Sequence, residues 1–205
     1  MLSQIIRSNN INVKGIIHIG ANTCQEQGEY LHLTDSKNIF WIEADPSIVS
    51  RVKKETPSYQ IFQELLTDKK GETINFNISS NSGLSSSIFE FDKHSITHPS
   101  IVFVNKVSLT SNTLDSFITA NITENLPNIM VIDVQGAELK VLQGGQSFLH
   151  NVDVIQTEIN IDYTYKGCGL VSEIDDLLQK YNFEKVHNFI WPNHTYGDAI
   201  YLKKN

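Results

Sequence analysis

The chain has 205 residues, 40% of them hydrophobic and 19% charged, which is the make-up of a folded globular domain and excludes a disordered or fibrous protein. A formal net charge of −7 argues against a duplex nucleic-acid binder, whose surface must be rich in cations. The two cysteines exclude a disulfide scaffold. The lack of any apolar run near the ~20 residues of a bilayer span, or of a signal-peptide core after Met1-Leu2-Ser3, points to a cytoplasmic protein without membrane contact.

Residues 2–9 read as a short amphipathic helix, within an N-terminal segment 1–12, packing on a sheet edge. The run 15–20 reads as a buried strand ending in a tight turn at Gly20-Ala21-Asn22, followed by a helix over 23–33 with Tyr30, Leu31 and Leu33 on its inner side. Such a turn lets a ligand approach the backbone with a helix N-terminus aimed at it. Cys24 just after the turn has two readings, a plain reduced thiol or one activated near a helix start. A second strand covers 39–43. Asp45-Pro46 then starts a helix over 46–55, with Pro in the first turn and Asp at the cap. Residues 59–66 alternate as a third strand, and this β-α-β-α-β order implies a parallel sheet of the α/β class.

The middle of the chain breaks the rhythm. Residues 73–78 read as an extra strand, and the small polar run 79–87 opens a loop over 79–100 that is either a plain connection or a lid. A strand over 102–108 and a helix from Thr113 follow. Regular order resumes with a strand over 129–132 closed by Asp133, a helix over 137–142, a strand over 152–159 carrying Glu158, and a helix over 170–181. The runs 185–190 and 199–202 read as an antiparallel pair completing the sheet. No linker divides the chain, so residues 1–205 are expected to form one domain, as a monomer or homodimer. Lys53-Lys54 and Lys69-Lys70 read as solvated faces.

In open parallel sheets, ligands bind outside the carboxyl ends of the strands. Polar residues collect there: His18 and Asn22, Glu43 and Asp45, Asp133 with Gln135, and Glu158 with Asn160. Glu43 lies 23 residues after Gly20, the interval at which a nucleotide fold places the acid that accepts ribose hydroxyls. Asp133 either serves the site or caps the following helix.

At these positions the chain resembles a known family. The stretches 15–22, 41–46 and Thr113-Leu114-Asp115, and Ile132-Asp133-Val134-Gln135-Gly136-Ala137-Glu138 followed by Leu142 and Gly144, look like the successive signatures of FkbM-type S-adenosylmethionine-dependent methyltransferases. Ser85-Ser86-Ser87-Ile88, His98-Pro99, Glu158-Ile159-Asn160 and 197–201 are similar to one branch of it. The likeness spans about residues 13–203. It implies a three-layer Rossmann-like methyltransferase fold, with a mostly parallel seven-stranded sheet and one bound S-adenosylmethionine. It further implies that Gly20, Ala21 and Asn22 lie against the methionine part of that cofactor, with His18 helping to orient it. Glu43 would hold the ribose, Ala44 and Asp45 would flank the adenine, and Thr67 and Asp68 would lie at the adenine edge. Asp133 would face both methyl donor and acceptor.

Three positions depart from the family pattern: His18 where Asp is usual, Val131 where Lys is common, and Gln135 where Glu is common. His18 is also readable as a buried, hydrogen-bonded histidine. The expected reaction is O-methylation of a sugar or other small-molecule hydroxyl, with Asp133 orienting or deprotonating the acceptor, Glu158 and Asn160 nearby, and His94 or His98 as alternative bases. A divalent ion on Asp133, Glu158 and Asn160 is chemically reasonable but not the expected arrangement. The competing readings are an N-methyltransferase, a dehydrogenase, and an inactive cofactor-binding module.

Overall fold

The computed structural model describes residues 1–204. Among them the elements run α1 (Leu2–Ser8), β1 (Ile16–Ile19), α2 (Gln27–Tyr30), β2 (Ile39–Glu43), α3 (Pro46–Glu55), β3 (Gln60–Gln63), β4 (Leu65–Leu66), β5 (Thr73–Ser79) and α4 (His94–Thr97). Then come β6 (Phe103–Asn112), α5 (Leu114–Asn121), β7 (Ile129–Ile132), α6 (Glu138–Gln143), β8 (Val154–Asn160), α7 (Val171–Gln179), β9 (Phe183–Ile190) and β10 (Tyr196–Lys203). The main sheet has seven strands in the order β3-β2-β1-β7-β8-β10-β9. The first five are parallel, and β10 is antiparallel to both β8 and β9. The strand order reverses between β1 and β7, which is where such sheets open a crevice.

The central strands β1, β2 and β7 are buried along their whole length, as their unbroken apolar runs require. Side chains alternate between two cores. Ile17, Ile42, Met130 and Ile155 pack with Phe117, Leu142 and Ile174 from α5, α6 and α7. Ile16, Trp41, Ile129 and Val154 pack with Leu2, Ile6, Ile48 and Val52 from α1 and α3. The second set lies in register across the sheet, with Ile39 beside Ile16, Ile16 beside Ile129 and Ile129 beside Val154. Two steps on are Trp41, His18, Val131 and Gln156. The next row on the same face, just past the paired residues, is Glu43, Gly20, Asp133 and Glu158.

Several local expectations are corrected. Helix α1 lies on the sheet face and not on its edge, because Leu2 and Ile6 join a core formed by several strands. The helix expected over 23–33 shrinks to Gln27–Tyr30. Asn22 (φ +41°) and Cys24 (φ +58°) hold the chain in left-handed turns before it, and Leu31 is 51% exposed. The helix that follows the Gly20 turn therefore starts only at Gln27. The third strand splits, with β3 on the main sheet and β4 paired to β6 in a small second sheet. Small and polar as it is, the serine run packs inward: Ser85, Ser86 and Ser87 are buried, held by contacts such as Ser79 N–H to Ser86 Oγ (3.0 Å) and Ser85 N–H to Ser79 Oγ (3.0 Å). Among the described residues no helix is long and apolar enough to cross a membrane.

Candidate active site

Gly20 sets the geometry of the crevice. It has φ +87°, and a Cβ built there would lie 1.7 Å from the Asp133 carbonyl oxygen, so only glycine lets the ends of β1 and β7 run this close. The N–H groups of Gly20 and Ala21 donate to the Ile42 carbonyl (2.9 and 3.0 Å), and the Asp133 N–H donates to the Ile19 carbonyl (2.9 Å). Above this junction lies a cleft with an empty volume of about 880 Å³, part of it open to solvent. His18, Gly20, Ala21, Asn22, Glu43, Ala44, Asp133 and Gln135 line it, together with Gly83, Leu84, Ser86 and Ile88 from the serine loop.

Glu43 is 7% exposed, with Oε2 accepting from the Asn22 N–H and Oε1 from the Asp45 N–H, each at 2.8 Å. Burial holds its pKa above the ordinary carboxylate range. A carboxylate offers about four acceptor sites, so both oxygens keep capacity for hydroxyl groups in the cleft. Asp45 does not line the cleft; its Oδ1 accepts from the N–H and hydroxyl of Ser47 (2.8 and 2.7 Å), capping α3. His18 is buried, with Nδ1 3.1 Å from the Tyr30 hydroxyl and its ring 5.3 Å from that of Trp41. Burial pushes its pKa down to about 3, so the ring is neutral at physiological pH.

Thr67 and Asp68 also lie outside the cleft. The Thr67 hydroxyl donates to the Lys69 carbonyl (2.9 Å), and Asp68 receives the Lys140 ammonium (2.8 Å). Cys24 is no activated thiol: burial, reinforced by Glu26 and Glu43, pushes it up to about 12.

Asp133 opens onto the cleft, while protein surrounds the rest of its carboxyl group and raises its pKa to about 6. Gln135 organises its surroundings. Its Nε2 donates to Asp133 Oδ1 (2.6 Å) and Glu158 Oε2 (3.0 Å), and its Oε1 accepts from the Tyr165 hydroxyl (2.5 Å). Its backbone carbonyl accepts from the Ser87 hydroxyl (2.7 Å). Glu138 is fully buried, and its Oε1 accepts from the N–H groups of Val134 (3.0 Å) and Gly136 (3.1 Å) while Oε2 has no hydrogen-bond partner. Burial raises Glu138 to about 7, and burial together with the charge of Asp133 holds Glu158 well above its usual range.

Asp133, Glu138 and Glu158 offer carboxylate oxygens within 4.8 Å of one another, a hard-oxygen donor set suited to a cation. The Gln135 amide already lies between two of them.

Beyond Gln135 and Leu84, which line both spaces, a second cavity with an empty volume of about 540 Å³, part of it open to solvent, is lined by Ser85, His94, His98, Glu158, Tyr165 and Tyr196 among others. His98 Nε2 is 3.2 Å from the Tyr196 hydroxyl. The structure thus brings Asp133, Glu158 and His98 to two neighbouring chambers. The bridging part played by Gln135, the Tyr165 contact and the turn-binding Glu138 escape sequence reading. For Glu138 a signal existed: an acid in a first helical turn can fold back onto the N–H groups ahead of it.

The strand order and the cleft at its reversal point define the class, a Rossmann-like methyltransferase fold. A profile described as the methyltransferase FkbM domain matches residues 18–185, and the chain belongs to the FkbM methyltransferase family, whose members use S-adenosylmethionine. The 2-O-methyltransferase NoeI of Sinorhizobium fredii (strain NBRC 101917 / NGR234) is 28% identical over 194 residues, covering 90% of this chain and 77% of NoeI. The crystal structure of methyltransferase FkbM from Methylobacillus flagellatus KT matches with a TM-score of 0.53 at 11% identity over 92% of this chain. The match takes in 43% of that protein, so the chain spans less than half its length. Magnesium protoporphyrin IX methyltransferase (ChlM) from Synechocystis PCC 6803 with bound SAM matches at TM-score 0.52 and 5% identity, over 99% of this chain and 76% of ChlM. At such identities the two structures carry the fold alone. With the family shown, the dehydrogenase reading falls.

Proposed function

We propose that the chain transfers a methyl group from S-adenosylmethionine to a hydroxyl of a sugar or another small molecule. The observation that carries this is the single row of Gly20, Glu43, Asp133 and Glu158 across four adjacent strands, with a cleft above it. The name of NoeI, a 2-O-methyltransferase, supports oxygen over nitrogen as the acceptor atom.

The cleft fits the cofactor by its chemistry. It has no Lys or Arg in its lining, and the carboxyl groups of Glu26 and Asp133 suit a sulfonium cation. In this reading Gly20, Ala21 and Asn22 hold the methionine part, with His18 beneath them. Glu43 accepts from the ribose hydroxyls and Ala44 flanks the adenine. Asp45 acts through its N–H on Glu43, and Thr67 and Asp68 take no part, since neither lines the cleft. When bound, S-adenosylmethionine supplies a methyl group already activated for in-line displacement. The chain then has to align a hydroxyl and remove its proton. Asp133, its Oδ1 held by Gln135, receives that proton; Glu158 and His98 orient the acceptor from the second chamber. The segment 79–100 covers both spaces.

The Gln135 amide joins both carboxyl groups, which favours a working site over a silent module. It also supplies a positive dipole where a divalent ion would sit, so we read the reaction as metal-free, with turnover unchanged by EDTA. Calorimetry with S-adenosylmethionine, with NAD as control, together with turnover of Asp133→Ala, tests the reading. Heat from the methyl donor alone and a collapse of turnover are expected. No heat from the donor, or an Asp133→Ala variant retaining full affinity and turnover, overturns it.

A further inference from the structure

We infer that the second chamber is the acceptor site, and that it takes an uncharged polyhydroxyl ligand, such as a neutral glycoside, while rejecting phosphorylated or carboxylated ones. The inference rests on the methyltransferase reading above and narrows its substrate class.

Gln135 and Leu84 line both cavities, and the Gln135 amide ties Asp133 on the cofactor side to Glu158 on the other. A ligand in the second chamber is therefore one side chain away from the proton acceptor. The chamber presents hydroxyl, amide and carboxyl groups, from Ser85, Thr164, Tyr165, Tyr196, Asn81 and Glu158. These donate to and accept from sugar hydroxyls in either direction. No Lys or Arg lines either cavity. Lys93, next to His94 in the chain, has its ammonium paired with Asp162.

The two histidines supply no cation either. Burial pushes His94 down to about 4, and burial with the neighbouring His194 lowers His98. The His94 ring is held by stacking on Phe91 at 4.1 Å, itself stacked on Phe103 at 3.9 Å, so it forms a fixed wall of the chamber. A phosphate or carboxylate entering here would give up hydration next to Glu158 without meeting a counter-charge, which is the costly case for a buried ion. A neutral polyol exchanges water hydrogen bonds for protein ones and meets no such penalty.

The test uses the full chain loaded with S-adenosylhomocysteine. Methyl glycosides of neutral hexoses and 6-deoxyhexoses are compared with hexose 6-phosphates and methyl hexuronides by saturation-transfer NMR, and by methyl transfer once the donor is supplied. Neutral glycosides are expected to bind at least about tenfold more tightly. Leu84→Lys, at a half-exposed position between the chambers, should shift the preference toward the anionic probes by about tenfold. Equal or tighter binding of the anionic set by the unmodified protein, or binding of neither set, overturns the inference. Failure of S-adenosylhomocysteine itself to bind instead removes the methyltransferase reading on which it rests.

Discussion

The side-chain amide of Gln135 lies 2.6 Å from Asp133 Oδ1, and the same nitrogen reaches Glu158 Oε2 at 3.0 Å. One neutral donor thus holds two carboxyl groups that would otherwise repel each other. Gln135→Glu removes the donor and adds a further acid among Asp133, Glu138 and Glu158. The apparent pKa governing turnover is expected to rise by about one unit, with roughly a twofold loss of rate at pH 7 and about a tenfold loss well below pH 6. A kcat–pH profile identical to that of the unmodified protein would show that the bridge has no catalytic consequence.

Asp133 itself is pushed to about 6, so its ionised, proton-accepting form builds up as pH rises through that value. Turnover should climb through pH 6 and level off above it. Asp133→Asn should flatten the profile and lower kcat by about 10²–10⁴-fold, while calorimetry finds methyl-donor affinity changed by about tenfold at most. A variant that keeps the rising limb assigns the titration to another group.

Glu138 offers a test through stability. Its folded pKa of about 7 lies above the usual glutamate value near 4.5, so the folded state binds the extra proton between them. Stability from this group is therefore full below about 4.5 and is lost as pH rises toward 7. Glu138→Gln keeps an oxygen for the Val134 and Gly136 N–H groups but cannot ionise. Relative to the unmodified protein, it should gain on the order of 1–3 kcal/mol between pH 4.5 and 7.5, read from urea midpoints. A pH-independent difference between the two proteins would count against a buried, titrating Glu138.

Gly20→Ala should cost more than about 2 kcal/mol and abolish donor binding, because the added Cβ meets a backbone carbonyl at a left-handed position. Gly28→Ala is the control: a Cβ there has no neighbour within 4 Å, and in a short helix alanine should be neutral or stabilising by up to about 1 kcal/mol. Similar melting temperatures for the two variants would contradict the close approach of β1 and β7.

Much of this site is legible in the residues. The buried strands at 16–19, 39–43 and 129–132, the Asp45 cap on α3 and the acid 23 residues past Gly20 are local signals, and the order of helices and strands leads to a parallel sheet with an antiparallel end. The short α2 was not legible, since left-handed turns at Asn22 and Cys24 follow from contacts such as the Asn22 N–H on Glu43, not from propensity. Nor was the burial of Ser85 to Ser87, whose hydroxyls meet partners at His94, Ser79 and Gln135 only once the loop is folded.

The sequence by itself determined which residue types close each strand and therefore which chemistry stands at the carboxyl ends. Strand identity follows from apolar runs, and turn identity from glycine and capping residues, both of which act over a few neighbouring positions. Only the tertiary structure decided that Glu43, Gly20, Asp133 and Glu158 share one row, that Gln135 joins two of its acids, and that Thr67 and Asp68 fall outside the cleft lining. Register between strands distant in the chain depends on how two whole cores pack, and a shift of one residue would turn each of these side chains to the opposite face.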